Sequence, residues 1–380
     1  MNNTNYRMCT CCIMDTTDPD ITFDEDGSCN HDKRYKERTQ ILQVNEKDKE
    51  KNLENLVNKI KAAGKGKPYD CIIGVSGGVD STYIAYLTKK LGLRPLAIHL
   101  DNGWDSELAV SNIEKTLKKL DIELYTYVLD WEEFRELQLA FLNASTPDSE
   151  IPTDHAIIGI LYRFAAKNGI KYIINGTNLA TESILPIKWG YGYYDTTYIK
   201  AVNKQFGSRK TFSNYPLFPF WKLLYHTFIS GIKDVALLNY VEFHKPSAMK
   251  LIQDELGWQY YGGKHYESIY TRFFQAYILP KKFNIDKRLA HLSSLIHSSQ
   301  ITRGEALEEI KKETYPADKL QEDKEYVIKK LRMTEASFEA MMQLPTKNFL
   351  DYPTEYSKVE FLKKIATFFK KSSHSVIQRN

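Results

Sequence analysis

The 380-residue sequence has no apolar run that approaches the roughly 18 residues needed to cross a bilayer. Its first residues, 1–8, are polar and lack the apolar stretch of a secretory signal peptide. An excess of positive charge is also missing, because 52 basic and 48 acidic residues leave a net charge of +4. A chain that binds nucleic acid through its phosphates carries a stronger basic bias. These absences predict a cytoplasmic protein with no membrane and no nucleic-acid partner.

Cysteine is scarce and unevenly distributed. Four of the five cysteines lie between Cys9 and Cys29, and Cys71 lies in an apolar run. A disulfide framework spreads more cysteines along the chain, and a cytoplasmic location keeps thiols reduced. The cluster therefore favours a metal site over disulfides.

From residue 69 onward, short apolar runs alternate with helical patterns. The runs 71–75, 95–100, 124–129 and 172–175 predict strands, and the segments 82–91, 106–120, 131–143 and 154–168 predict helices. Short buried strands that alternate with helices are typical of a parallel sheet covered on both faces. We therefore expect an α/β fold with a doubly wound parallel sheet.

Changes in composition predict five segments along the chain. The α/β domain (68–185) follows a small Cys-rich, zinc-ribbon-like unit (1–35) and a helical linker (36–67). An aromatic-rich region for substrate or partner (186–300) and a helical C-terminal region (301–380) come after it.

The segment 74–81 reads Gly-Val-Ser-Gly-Gly-Val-Asp-Ser and lies between the first predicted strand and its helix. Glycines there let backbone N–H groups approach an anion, and the helix N-terminus adds partial positive charge. The segment is neither a Walker A loop nor a Gly-x-Gly-x-x-Gly dinucleotide loop. We expect a phosphate site formed by Ser76, Gly77, Gly78, Val79, Asp80 and Ser81, in which Asp80 caps the helix or holds Mg2+. The alternative is a glycine-rich turn with a capping side chain.

This loop resembles the pyrophosphate-binding loop of the N-type ATP pyrophosphatases, the PP-loop superfamily, which includes GMP synthetase, NAD synthetase and tRNA-thiolating enzymes. The resemblance covers about residues 69–185 and implies cleavage of ATP between its α and β phosphates, with an adenine nucleotide alpha hydrolase-like fold. Asp101 and Asn102 lie in an Asp-Asn-Gly turn similar to that of GMP synthetase, and the family implies that this turn borders the nucleotide. Gly176 and Thr177 follow the fourth predicted strand, at the edge where open α/β sheets bind ligands. Glu182 is a further candidate for Mg2+.

The cysteine cluster has three arms of a zinc-ribbon spacing. Cys9 and Cys12 are separated by two residues, and Cys29 is followed at the same spacing by Asp32 where a fourth Cys is expected. We predict a structural Zn2+ site formed by these four residues, with His31 as the alternative fourth ligand. Two alternatives stay open. The unit has lost its metal and is held by packing alone, or the thiols have a redox role.

Several segments together resemble the N-acetyl sugar amidotransferases of bacterial surface-polysaccharide biosynthesis (O-antigen and lipopolysaccharide), over about residues 6–305. They are the Cys-x2-Cys run from Cys9 with Gly27–His31, the phosphate loop, Trp258–Ser268, Thr271–Phe274, Leu279–Phe283, Asp286–Arg288 and Ala290–Ser294. The sequence departs from the family at Asp32, where a Cys is usual, and at His297, in a segment where a Cys is expected.

The family resemblance implies ATP-dependent amidine formation. ATP with Mg2+ would adenylylate the carbonyl oxygen of an N-acetyl group on a nucleotide-linked acetamido sugar, and ammonia would then displace AMP. The chain has no Gly-x-Cys-x-Gly elbow for the thiol nucleophile of a glutaminase. We therefore expect a separate glutaminase partner, which the family resemblance also implies. Asp80, Lys264, His265 and Arg272 are the candidate catalytic residues, although the last three also suit a solvated loop with salt bridges.

Two other functions use the same loop. A tRNA-thiolating enzyme needs a sulfur-carrying thiol near the loop and a more basic surface than a net charge of +4 provides. A non-catalytic ATP-binding scaffold is disfavoured by the complete segment from Ser76 to Ser81.

Overall fold

The computed structural model describes residues 6–43, 49–208, 212–263 and 265–361, without the side chains of 41–43. Its centre is a parallel sheet with the strand order β3-β2-β1-β4-β5. The strands are β1 (Cys71–Gly74), β2 (Pro95–Asp101), β3 (Glu123–Val128), β4 (Tyr172–Asn175) and β5 (Lys233–Ala236). The chain runs outward from β1 to β3 and then returns to the other side of β1, which is the doubly wound arrangement predicted from the sequence.

The fifth strand was not predicted. It comes from the aromatic-rich region and pairs with β4 in the register Ile173↔Asp234. Only Val235 of its four residues is buried, so it lacks the apolar run that identified the other strands. The domain boundaries given above stay predictions.

Helices connect the strands and form the C-terminal region. In chain order they are α1 (Asn30–Gln43), α2 (Lys49–Ala63), α3 (Val79–Lys90), α4 (Glu107–Leu120), α5 (Trp131–Ala144), α6 (Ile151–Lys167), α7 (Leu179–Glu182), α8 (Thr196–Phe206), α9 (Phe220–Leu224), α10 (Lys245–Leu256), α11 (Ile269–Phe273), α12 (Lys287–His297), α13 (Arg303–Lys311), α14 (Ala317–Lys330) and α15 (Glu335–Met342). Wider π-helical turns extend α9 over Tyr225–Ile229 and α11 over Phe274–Phe283. The expected helical C-terminal region is therefore present in the described residues up to 361.

Alternation along β1 explains why both faces of the sheet are covered. Cys71 and Ile73 pack into a core with α2, α3, α4 and α10, whereas Ile72 packs into a second core with α6. Successive side chains of a strand point to opposite faces. A strand that is apolar at every position therefore lies between two helical layers.

A third core joins the N-terminal Cys-rich unit to the C-terminal helices. It contains Cys9, Cys12 and Ile13 together with side chains of α11, α12 and α15. A buried ion pair also connects α11 to α14, because Arg272 donates from Nε and Nη2 to the two carboxylate oxygens of Asp323 (2.6 and 2.7 Å). The two ends of the described chain thus pack together beside the sheet.

None of the helices in the described residues is both long and apolar enough to span a membrane.

Candidate functional site

The predicted phosphate loop joins β1 to α3 at the carboxyl end of the sheet. Gly78 is the N-cap of α3 and, as a glycine, provides no side-chain cap. The predicted capping or Mg2+-binding role of Asp80 stays a prediction. The first-turn N–H groups of a helix have no intrahelical acceptor, which makes this end a site for an anion. Hydroxyl contacts shape the loop, since Ser76 Oγ lies 3.2 Å from Ser81 Oγ and accepts from the Gly78 N–H (3.3 Å).

Gly77 lies between two other elements. Its φ is +78°, and a Cβ there would lie 2.6 Å from the carbonyl oxygen of Ala109 in α4. From the other direction, Trp258 donates its indole N–H to the Gly77 carbonyl oxygen (2.8 Å). A positive φ and a close backbone approach are the two conditions that favour glycine.

Residues 258–263 and 265–268, which we call the strap, lie beside the phosphate loop. The Asn112 side chain donates to the Gln259 carbonyl oxygen (2.8 Å) and accepts from its N–H (2.9 Å). At the other end, the Ser106 N–H donates to the Glu267 carbonyl oxygen (2.8 Å), and Ser268 pairs with Asp105 in a short antiparallel bridge. Both ends of the strap are therefore fixed to the segment around α4. Lys264, a predicted catalytic residue between the two ranges, lies outside the described residues.

The strap brings Tyr261, His265 and Glu267 to the loop. A Cβ on Gly78 would lie 3.2 Å from Glu267 Oε1 and 3.3 Å from Tyr261 Oη. His265 Nδ1 lies 3.7 Å from Glu267 Oε1, and the His265 and His291 rings are 5.8 Å apart. Of the catalytic residues predicted from the strap sequence, the structure therefore brings His265 close to the phosphate loop.

Glu267 was left without a role in the sequence analysis, although it shares the strap with His265. Burial raises its pKa, but hydrogen bonds and charge from His265 and a hydrogen bond from Tyr261 outweigh burial, so the pKa is below its ordinary value. Its Oε2 is buried and has no hydrogen-bond partner among the described residues. An ionised carboxylate beside an anion-binding loop requires a cation or a proton donor close by. Carboxylate oxygens are also the ligands that Mg2+ prefers, so this position fits a magnesium ion.

The residues predicted to border the nucleotide lie at the ends of β2 and β4. Asp101 Oδ1 accepts from the Gly103 N–H (2.8 Å), and Asn102 Nδ2 donates to Thr153 Oγ1 (3.1 Å). A Cβ on Gly176 would lie 3.1 Å from the Asp80 Cβ, so the turn after β4 packs directly against the phosphate loop. Thr177 next to it is exposed. The sheet therefore brings these residues to one edge, as expected for parallel strands.

Arg272 lies in a different environment. It is 8% exposed, and its guanidinium is bonded to Asp323 and to Tyr315 Oη (3.2 Å). Arg272 thus connects α11 to α14, and these hydrogen bonds are not with the phosphate loop. Its catalytic role stays a prediction.

Three neighbouring carboxylates, Asp148, Glu150 and Asp154, lie around the start of α6, beside the Asn102–Thr153 contact. Asp154 is exposed to solvent, yet the surrounding protein raises its pKa well above the ordinary value, helped by Asp148 and Glu150. Burial raises the pKa of Asp148 to about 6, and Lys287 opposes the shift at both residues. Neighbouring ionisable groups with shifted pKa values are candidates for substrate binding. The sequence analysis did not identify Asp148.

The four predicted metal ligands lie together. The ligand atoms of Cys9, Cys12, Cys29 and Asp32 are within 4.8 Å of one another, and all four residues are buried. Cys12 Sγ and Cys29 Sγ are 3.7 Å apart, which matches the edge of about 3.7–3.8 Å that Zn–S bonds of about 2.3 Å give in a tetrahedron. The alternative ligand His31 is instead bonded to Asp18 (2.7 Å). The cluster is a Cys3Asp site compatible with zinc.

Two family models match the chain. The NAD synthase model matches residues 46–210, and a model described as LPS biosynthesis protein WbpG-like, C-terminal domain, matches residues 267–366. The two matches together support a WbpG-type protein of the PP-loop superfamily.

Solved structures with similarity to the chain include an NMN synthetase from Francisella tularensis (22% identity, 35% of this chain and 55% of that one, TM-score 0.26). A predicted subunit of tRNA methyltransferase from Methanocaldococcus jannaschii is 16% identical over 48% of this chain and 72% of that one (TM-score 0.28). An NH3-dependent NAD synthetase from Campylobacter jejuni is 16% identical over 55% of this chain and 93% of that one (TM-score 0.28). The chain thus spans little more than half of the NMN synthetase. No curated protein matches it.

The contact of Gly77 with α4 can be tested against a matched glycine. Gly66 also has a positive φ (+76°), but a Cβ there would meet nothing within 4 Å. We predict that Gly66→Ala costs only the left-handed strain of about 1–2 kcal/mol. Gly77→Ala should cost more, because the loop must also move away from the Ala109 carbonyl oxygen. Urea unfolding midpoints of the two variants measure the difference, and equal midpoints would contradict the close approach.

The raised pKa of Asp148 predicts a pH-dependent stability. Below about pH 4 the side chain is protonated in both the folded and the unfolded state, whereas above about pH 6 it is ionised in both, and the folded state bears the cost of burying the charge. Asp148→Asn should therefore stabilise the protein increasingly between pH 4 and pH 6 and by a constant amount above pH 6. Thermal unfolding midpoints over this range provide the test, with the exposed Glu54→Gln as control. A difference that is the same at pH 4 and pH 8 would refute the shift.

Proposed function

We propose that the protein is an ATP-dependent amidotransferase that converts the N-acetyl group of a nucleotide-linked sugar into an acetamidino group, in the biosynthesis of O-antigen, lipopolysaccharide or a related surface glycan. The observation that supports this most is the contact between the phosphate loop and the strap, above all the Trp258–Gly77 hydrogen bond. The strap carries residues of the sugar-amidotransferase resemblance and adjoins the WbpG-like match, which begins at Glu267. A sugar held beside the strap would therefore lie next to the ATP phosphates.

The proposed reaction has two displacements. The carbonyl oxygen of the N-acetyl group attacks the α phosphorus of ATP, and pyrophosphate leaves toward the N–H groups of the phosphate loop. Ammonia then attacks the activated carbon, and AMP leaves with the former carbonyl oxygen. The nitrogen loses its extra proton to a base, for which His265 beside Glu267 is the candidate. Mg2+ held by Asp80 and Glu267 would offset the charge of the phosphates.

The carboxylates at the start of α6 are suited to the sugar. Asp148 and Asp154 provide oxygen acceptors for hydroxyl or amide N–H donors, and Asn102–Thr153 connects this region to the nucleotide side of the sheet. Zn2+ in the Cys3Asp site would have a structural role, because the site is buried and has four protein ligands.

Ammonia would come from a separate glutaminase. Trp221, Tyr225, Phe228 and Ile229 are between 51% and 76% exposed and lie on α9 and its extension. An exposed apolar surface of this kind is typical of a protein interface. We propose this surface, within the aromatic-rich region, as the docking site for the glutaminase.

The tRNA-thiolating alternative is less well supported. It needs an accessible thiol near the phosphate loop, but Cys71 is buried within β1, where burial raises the pKa of its thiol. Cys11, which is exposed, belongs to the N-terminal unit. Among the described residues, therefore, neither thiol outside the metal cluster suits sulfur transfer.

The products of ATP test the reaction class. With ATP, ammonium and a panel of nucleotide-linked diacetamido sugars, we expect AMP, pyrophosphate and a sugar product about one mass unit lighter, since NH replaces O. Asp80→Ala should lower the rate at least about 100-fold because a positioned group at the phosphates is lost, and Asp318→Ala on the surface of α14 should not. Formation of ADP and phosphate by the wild type would rule out cleavage between the α and β phosphates.

The source of nitrogen gives a second test. The single chain should use high ammonium, more effectively as the pH rises, because only the neutral form has a lone pair for attack. Glutamine should support turnover only after a glutaminase is added, and Trp221→Ala together with Phe228→Ala should weaken that coupling while ammonium-dependent turnover is unchanged. Glutamate that appears in step with AMP in the absence of a partner would reveal a glutaminase site within the chain.

A further inference from the structure

The Cys-rich unit is fixed to the C-terminal helices through the backbone of its ligands. Arg303 donates from Nε to the carbonyl oxygen of Cys12 and from Nη2 to that of Cys9, each at 2.9 Å. The Ile13 N–H donates to Ser293 Oγ in α12 (3.1 Å). Helices α12 and α13 thus hold the turn that carries two of the three thiols.

Asp32 connects the thiols to His297 through its two oxygens. Oδ2 lies 2.8 Å from Cys9 Sγ and accepts from the Cys29 N–H (2.7 Å), whereas Oδ1 is bonded to Nε2 of His297. The His297 side chain is 8% exposed, and its ring stacks on Tyr35 at 4.8 Å. Its ring is therefore fixed from two sides, and the bond to Oδ1 keeps Oδ2 directed at the thiols.

His297 is also the last residue of α12, whose other contacts reach α7 and the strap. Ser294 Oγ accepts from Ser183 Oγ (3.1 Å), and Ser298 donates to the Ala180 carbonyl oxygen (2.8 Å), so the helix is bonded to the segment that follows β4. Further along the same helix, His291 lies against His265 of the strap. One helix thus contacts the metal ligands, the turn after β4 and the strap.

We propose that His297 is the positioning residue of the metal site, holding Asp32 as the fourth ligand and coupling the bound metal to α12 and, through His291, to the strap. The proposal rests on the zinc site of the proposed function, not on the sugar reaction. A histidine bonded to a metal-binding carboxylate fixes the orientation of that ligand, and loss of such partners commonly lowers metal affinity about 10–100-fold. Without His297, the three thiolates remain but Asp32 can rotate away.

Zinc affinity of the full-length chain tests the positioning role. The affinity for zinc is measured by competition with a chromogenic chelator. It should be about 10–100-fold lower for His297→Ala than for the wild type. It should recover in part for His297→Gln, whose amide can still donate to Asp32. His244→Ala is the control, because the His244 side chain bonds to Ser247 Oγ (2.8 Å) and lies outside the metal cluster. An affinity of His297→Ala equal to that of the control overturns the proposal.

Cobalt substitution and amide hydrogen exchange examine the ligand set and the coupling. Co2+ in His297→Ala should keep a tetrahedral thiolate spectrum, and zinc removal should raise exchange in α12 but not in β1. Metal retained by Asp32→Ala and lost by His297→Ala would mean that His297 is itself the ligand, contrary to the proposal. If exchange in α12 does not change on zinc removal, the proposed coupling between the metal and α12 is wrong. If the wild-type protein binds no zinc, the proposed zinc site is wrong, whereas the proposed cleavage of ATP is tested separately by its products.

Discussion

Trp258 donates its indole N–H to the carbonyl oxygen of Gly77, and the arrangement of the candidate site depends on this hydrogen bond. Glycine is favoured at position 77 because its φ is positive and because α4 leaves no room for a side chain. The same geometry brings the strap to the loop, with Glu267 and Tyr261 beside Gly78. The phosphate loop and the segment that leads into the WbpG-like match are therefore in direct contact.

Negative charge is concentrated around a loop that is built to bind an anion. Glu267 is ionised beside Gly78, and contacts with His265 and Tyr261 lower its pKa and so stabilise its charge in the folded state. The pKa values of Asp148 and Asp154 are instead raised, so these two groups oppose stability when they are ionised. Such a cost is expected at a site that receives a cation together with phosphates and that hydrogen-bonds a polar substrate.

Local sequence patterns predicted much of the fold, because four strands are short, mainly apolar runs between helical patterns and the phosphate loop is a contiguous segment. The strand β3 was predicted as buried but is mostly exposed, since it lies at the edge of the sheet. The metal ligands were also predictable, since Cys9 and Asp32 are only 23 positions apart and their spacing is regular. Contacts between distant residues were not predictable. The partner of Arg272 is Asp323, and the partner of Asp32 is His297, 265 positions away. No local periodicity encodes such pairs, and β5 was missed because its single buried residue gives no pattern.

The most direct test of the central claim follows the carbonyl oxygen of the substrate. An N-acetyl sugar nucleotide labelled with 18O at that oxygen would be incubated with ATP and ammonium, and the label would be located by mass spectrometry. Adenylylation followed by attack of ammonia predicts one 18O in AMP and none in the amidino sugar. Label in inorganic phosphate, or retained in the modified sugar, would contradict it.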